Sequence, residues 1–300
     1  MERLNFQDFF LQAWRASISK KLPWLFGIVL AGAMSAAEIF LRTNVPENIT
    51  TSELVRIFSE NNFQEWIAPL FLLILLFLIG TAGRGNLIAS LSFVAEKKSP
   101  ENYPSSLRTV GKNSLRALAL EASIVLVIFL AIGIVSLPLF IAATYNPATL
   151  ELLVTLGIFT LIPILLVIFF IREYALLYLL LSPLSVRGAI EAGCTLFSRF
   201  IFPSLLLGLF LYVITTLFTF CLKLVILGIT ALSHKTLMPP EDSSLSLIIG
   251  FVFFTWFAIF QQALWIAFFK TIASTTKKET STVEKSATFV ENNLPETPSV

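Results

Sequence analysis

Six long apolar runs fall in three pairs along this chain, and an amphipathic stretch leads into each pair. The runs are Leu22–Leu41, Trp66–Thr81, Ala117–Thr144, Leu152–Ile171, Phe200–Leu232 and Leu245–Phe269. A helix needs about 20 apolar residues to cross a hydrocarbon core about 30 Å thick, whereas a barrel strand needs only about 9–11. Inside a bilayer every backbone N–H and C=O must be satisfied within the protein, which leaves helices as the solution for runs this long. The second run is the shortest, and it is expected to continue past Gly80 through Leu87–Ala95. The expected fold is therefore an all-α, polytopic membrane protein with six transmembrane helices. Composition agrees: 56% of residues are hydrophobic and 13% charged, against roughly 45–50% and 25% in soluble domains.

Charge sets the expected orientation. Placing the N-terminus in the cytoplasm puts Arg3, Arg15, Lys20 and Lys21 inside, with Arg84, Lys97, Lys98, Arg108, Lys112 and Arg116 in the second inner loop. Arg172, Arg187 and Arg199 follow in the third, and Lys270, Lys277, Lys278 and Lys285 after the last span. Only Arg42, Arg56 and Lys235 fall outside, and Lys223 lies within a span. By the positive-inside rule both termini face the cytoplasm, and the plasma (inner) membrane is the expected location. A cleaved signal peptide fits Leu22–Leu41 poorly, because its leader is too long and the apolar run exceeds an ordinary h-region. The domain division is a six-helix membrane domain over 1–273 and a disordered cytoplasmic tail over 274–300, rich in Ser, Thr, Glu and Pro. The external segment Arg42–Glu65 is expected to form a short helix from Thr51, and Asn48-Ile49-Thr50 matches a glycosylation acceptor.

The three pairs read as three parallel copies of one unit. Phe6, Phe9, Phe10, Ala13 and Trp14 share one helical face, with Gln7, Asp8, Gln12 and Arg15 opposite, as in an interfacial helix on the cytoplasmic side. Leu107, Val110, Ser114 and Leu118 repeat the pattern, as do Val186, Ile190, Gly193 and Phe197. Pro104 and Pro183 stand just ahead of these two helices, where proline suits a helix start. Gly27, Ala31 and Ser35 recur at four-residue spacing along the first span, a signal for close helix packing. Gly80, Gly83 and Gly85 are read in the same way, because no Gly-Lys-Ser/Thr follows them to make a phosphate loop.

Polar residues recur in the second span of each copy at Arg84, Arg172 and the pair Gln261/Gln262, near the inner boundary. Two arrangements fit. Arg84 and Arg172 can reach the inner headgroups by snorkelling while the helix continues along the interface. Alternatively the three sites meet in a polar pocket, with Glu173 and Glu121 neutralising the arginines. Glu38 and Lys223, near the outer ends of their spans, are a second candidate pair; outward snorkelling of either is the competing reading, since an unpaired charge at that depth is costly.

Several chemistries lack their residues. Net charge is only +2, and no basic cluster has the density that nucleic acid requires. Cys194 and Cys221 form no CxxC pair, and the single His234 cannot complete a metal set with them; the expectation is two small buried side chains. No nucleophile elbow and no His-Glu-x-x-His occurs. No cofactor is implied.

The stretch Ser182-Pro183-Leu184-Ser185-Val186-Arg187-Gly188-Ala189-Ile190-Glu191-Ala192-Gly193, then Phe197-Ser198-Arg199 and a new span, resembles bacterial proteins grouped with the membrane domain of glycerophosphoryl diester phosphodiesterase. Gly85-Asn86-Leu87-Ile88-Ala89 fits the same picture. The resemblance covers most of Met1–Thr275 and implies a multi-pass helical domain. Some members carry a fused phosphodiesterase barrel; this chain has neither room for it nor its ligands. The functional expectation is a non-enzymatic membrane protein of scaffold, accessory or lipid-associated type, with the bilayer, a lipid or another membrane protein as partner. The alternative is a transporter or channel for a small or amphiphilic solute, its path lined by Arg84, Arg172, Gln261 and Glu121.

Overall fold

A computed structural model describes residues 6–19, 21–44, 63–95, 107–145, 150–232 and 244–292. The expected outer helix from Thr51, the Asn48 acceptor, His234 and Pro104 lie outside the described residues. Among the described residues there are eight helices and no strand. They are α1 (Phe6–Ser19), α2 (Lys21–Asn44), α3 (Phe63–Ala95), α4 (Leu107–Tyr145), α5 (Leu150–Leu181), α6 (Val186–Arg199), α7 (Ile201–Leu232) and α8 (Ser244–Asn292). Six are long and apolar enough to span a bilayer, over Lys21–Leu41, Ala68–Ser92, Val110–Pro138, Thr155–Leu181, Ile201–Gly228 and Ile248–Ala273. The polytopic all-α fold expected from the apolar runs is the one observed.

Two boundaries differ from the sequence reading. The second amphipathic stretch is not a separate helix but the first turns of α4, continuous with its span. The helical backbone of α8 runs on to Asn292, past the start of the tail at Ser274. Extending an existing helix adds one hydrogen bond per residue without a new nucleation cost, so weak local propensity is enough.

Exposure divides the bundle into two layers. Large exposed apolar side chains run from Leu70 to Ile79 in α3, Leu126 to Ile141 in α4, Leu156 to Phe169 in α5, Ile201 to Leu227 in α7 and Ile248 to Phe254 in α8. These form a lipid-facing belt. Beyond it, α3, α5 and α8 continue into a dry core where Leu87, Ile88, Leu91, Tyr174, Leu176, Leu177, Phe260, Leu264, Trp265 and Phe268 are all buried. Around that core lies a collar of α1, α6 and the start of α4. Its outer face carries polar side chains, with Asp8, Gln12, Arg15, Lys112, Arg187, Glu191 and Arg199 all exposed.

The collar closes in a cycle. The start of α4 packs on α3, α6 packs on α5, and α1 packs on α8, so each amphipathic element covers the last span of the preceding copy. Small residues permit the approach. A Cβ on Gly85 would stand 2.9 Å from that of Ala117, and one on Gly193 would stand 3.0 Å from both Ala175 N and Ile171 O. Gly27 meets Ile259 and Gly83 meets Leu30 N in the same way, so these glycines serve close packing. On α1 the covered face is Phe9, Ala13 and Ser17, with Trp14 left 41% exposed. Phe9 meets Phe268 edge-on at 5.9 Å and Phe10 meets Phe260 at 5.3 Å. Thus α1 is a packed collar element, and its aromatic face turns to α8 more than to headgroups.

The reversal from α5 into α6 shows how local sequence sets this up. Ser185 caps α6, its Oγ accepting from Gly188 N at 3.2 Å, and Arg199 in the last turn suits the negative end of the helix. Arg116 of α4 donates to the carbonyls of Leu184 (2.8 Å) and Ser182 (3.3 Å), which lie past the end of α5. Among the described residues this ties three consecutive elements.

Gly193→Val should therefore lower thermal stability in detergent by about 1–3 kcal/mol, the usual cost of overpacking. Gly133→Ala, where an added Cβ meets nothing within 4 Å, should leave the melting temperature unchanged or slightly raised. Equal melting of the two variants would contradict the close α5–α6 contact.

Candidate functional site

Four charged side chains meet where the lipid belt gives way to the dry core. Arg84 comes from α3, Glu121 from α4, and Arg172 and Glu173 from α5. Arg84 Nη2 donates to both carboxylate oxygens of Glu173, 2.5 Å from Oε1. Arg172 holds Glu121 through Nε to Oε2 at 2.6 Å and Nη2 to Oε1 at 2.5 Å. Cross-links at 3.5 Å join Arg84 to Glu121 and Arg172 to Glu173. The two carboxylates are 3% exposed, Arg84 10% and Arg172 26%. Each charge thus has two opposite charges beside it, and the group is formally neutral.

Neutrality is what lets the cluster exist. A single charge in this setting costs several kcal/mol, and a charge pair is tolerable only with good geometry and further hydrogen bonds. Arginine suits the task because its planar fork matches a carboxylate in two places. From Ala68 to Arg84 and from Thr155 to Arg172 the helices rise about 24–26 Å at about 1.5 Å per residue. That is slightly less than the hydrocarbon thickness of about 30 Å, which puts the cluster at one boundary of the belt. The arginines do not snorkel: both guanidinium groups turn into the bundle and pair with carboxylates.

Above the cluster is a cavity of about 500 Å³ between α2, α3, α5 and α8. Arg84, Arg172, Glu173, Thr81, Gln261 and Gln262 form its polar floor. Leu30, Ala33, Leu73 and Leu76 line its sides, and Met34, Phe77 and Phe169, all exposed, stand where it opens. Glu121 is absent from the lining; it lies behind Arg172 as a counter-charge, which removes it from the set expected along a solute path. The recurrent polar positions of the three copies therefore share one floor, but unequally: the first copy gives one arginine, the second an arginine with both carboxylates, and the third neutral amides.

Some buried polar atoms at this level lack a partner. They are Arg84 Nε, Gln262 Oε1, Asn86 Oδ1 and Trp265 Nε1. Such atoms are uncommon in folded proteins and each carries a desolvation cost. Asn86 is held through its other atom, Nδ2 donating to Ser114 Oγ at 2.9 Å. Gln262, at 6% exposure, lines the cavity floor, with its Oε1 enclosed and unpartnered.

The remaining candidates behave differently. Glu38 and Lys223 are both exposed, and no ion pair joins them among the described residues. Cys194 and Cys221 are exposed too, not buried: one lies on the outer face of α6, the other on the lipid-facing side of α7. Among the described residues no three His, Cys, Asp or Glu gather to hold a metal. Sequence reasoning passed over Tyr174 and Ser204, whose hydroxyls meet at 2.6 Å in the core beside Glu173. Nothing in their spacing signals that contact, because it joins α5 to α7.

Glu173→Gln should destabilise the protein by about 3–5 kcal/mol, since it leaves Arg84 buried with only the 3.5 Å contact to Glu121. The double change Arg84→Met with Glu173→Met should cost less than either single change, as a coupled pair requires; additive losses in thermal melts would show the pair to be uncoupled. Comparison with known proteins finds no matching family model, no similar curated protein and no similar solved structure. The likeness to the glycerophosphoryl diester phosphodiesterase membrane domain stands on its residues alone.

Proposed function

We propose that this chain is a non-enzymatic, lipid-associated protein of the bacterial inner membrane that holds an amphiphile in the cavity above the charged cluster. The observation carrying this reading is the cavity's polarity gradient: an apolar mouth and walls leading to a buried polar floor. Its volume of about 500 Å³ falls within the roughly 300–1,000 Å³ of small-molecule sites. A water-soluble solute would gain nothing at that mouth, whereas a lipid arrives there directly from the belt. The dry core closes the floor from below, which favours holding over passage. Transport of an amphiphile is the second reading, favoured by the ionisable cluster at the cavity base, which is where carriers place such groups.

Protein purified in mild detergent should retain an amphiphile at close to one molecule per chain, identified by mass spectrometry of the extract. Ala37→Trp, which fills the cavity from α2, should lose it while keeping the wild-type melting profile. Equal retention by both proteins would mean a nonspecific lipid coat. Reconstituted vesicles loaded with the same amphiphile separate holding from transport, because only a carrier moves it between leaflets.

The orientation is part of the proposal: collar and termini in the cytoplasm. In a Cys221→Ser background, a membrane-impermeant maleimide should label Cys194 only after cells are permeabilised. Partial desolvation of this otherwise exposed thiol, opposed by a backbone hydrogen bond and helped by the Glu191 carboxylate, raises the Cys194 pKa. The thiolate is the reacting form, so its share is reduced at neutral pH and labelling should keep accelerating above the ordinary thiol range. Labelling of intact cells would reverse the orientation.

A further inference from the structure

We infer that the amphiphile is held by an oxyanion head, a carboxylate or a phosphate, and that Arg172 is the residue that takes it. This rests on the amphiphile-holding reading and names the head. The four charges stand unequally toward the cavity. Arg172 lines it and is 26% exposed, whereas Glu121 and Glu173 are each 3% exposed and Glu121 is not part of the lining. A head entering between the apolar walls therefore meets a cation ahead of the carboxylates that balance it.

The Arg172 guanidinium also has one nitrogen left to give. Glu121 occupies Nε and Nη2, at 2.6 and 2.5 Å. Nη1 has only Glu173 Oε1 at 3.5 Å, which is too long for a good hydrogen bond. That carboxylate is already held through both oxygens by Arg84 Nη2. An oxygen of the head can accept from Nη1 while the contact between Arg172 and Glu121 stays intact, so no buried charge is stranded. Gln261 and Thr81 lie on the same lining, and no hydrogen bond between described residues engages either side chain. Their amide N–H and hydroxyl can donate to the same head, but they suit a neutral acceptor as well as an anion. Arg172 sets the preference for charge. A hydrogen bond between a charged donor and an anion is about twice as strong as a neutral one, and low local dielectric strengthens it further. The chain of the amphiphile then lies against Leu73, Leu76 and Phe77 toward the apolar mouth.

The experiment uses the full chain, delipidated in an uncharged detergent, and native mass spectrometry with probes of one chain length. The probes are a fatty acid, a monoalkyl phosphate, a fatty acid methyl ester (uncharged, acceptor only) and an alkyl amine (cationic). The phosphate keeps its charge throughout the working pH range, which separates an oxyanion from a neutral acid; comparing the two anions tells a carboxylate source from a phosphate one. At least one anion should bind about tenfold or more tightly than the ester, the worth of charge assistance in one hydrogen bond. Removing Arg172 alone would strand Glu121, so the two are replaced together: Arg172→Gln with Glu121→Gln should cut the preference to about twofold or less. Glu121→Gln alone leaves the lining unchanged and frees Arg172, so it should tighten the anion severalfold, a gain that a merely structural Arg172 would not give. Should these variants fold poorly, Gln261→Glu, which sets a carboxylate on the same lining at a partly exposed position, should weaken the anion at least about tenfold. Equal binding of ester and anions overturns the inference and leaves the cavity as an amphiphile site. So does tighter binding of the amine, or an anion preference that survives the joint replacement of Arg172 and Glu121. Failure of every probe to bind the wild-type chain overturns both the inference and the reading beneath it.

Discussion

Two arginines cannot enter a hydrocarbon layer alone, and the architecture follows from how they are neutralised. The counter-charges Glu121 and Glu173 come from α4 and α5, so satisfying Arg84 fixes α3 against α5, and satisfying Arg172 fixes α5 against α4. In lipid, helices gain little from burying apolar surface against one another, because the surroundings are equally apolar. Polar pairing and close packing must then set register. The cluster does the first and the glycines do the second: Gly85 seats the start of α4, Gly193 seats α6 and Gly27 seats α8.

The same constraint explains the two layers. Above the cluster the helices can leave apolar side chains exposed, because lipid covers them. Below it, the same second spans still carry apolar residues on every face, from Leu87 onward in α3, from Tyr174 in α5 and from Ala263 in α8. Those faces have left the thickest part of the hydrocarbon and need another cover. The amphipathic collar provides it, with an apolar face inward and charges such as Arg187 and Glu191 outward, 2.8 Å apart on α6. Aromatic contacts add to the seal: Phe170 stacks on Phe197 at 5.5 Å and meets Trp265 at 6.0 Å. Leading each pair of spans with an amphipathic stretch is thus a packing requirement of spans that outrun the bilayer.

Much of this was legible in the sequence, and the limits have physical causes. Six spans follow from run length alone, because no other secondary structure satisfies a backbone over so many apolar residues. The spacing of Arg84, Arg172 and Gln261/Gln262 marks a common level, and Glu121 and Glu173 stand out as the counter-charges within reach of that level. Which carboxylate meets which arginine was not legible, since pairing depends on helix rotation and apolar spans with little moment do not fix it. The packing of α1 on α8 joins opposite ends of the chain, and a one-dimensional pattern holds no record of such closure. Cys221 misled for a related reason: burial statistics assume that outside means water, and Cys221 faces lipid.

The inequality among the three copies bears most directly on what the cavity can do. The ion pairs join α3, α4 and α5 into one charged body, and opening that body would separate buried charges. On the α8 side of the cavity the contacts at this level are apolar and aromatic, such as Trp14 on Trp256 at 5.1 Å and Gly27 on Ile259. Its contribution to the floor is two amides, which can exchange one hydrogen-bond partner for another without stranding a charge. Rigidity and adaptability are thus divided between the charged side of the floor, on α3 and α5, and its neutral side, on α8.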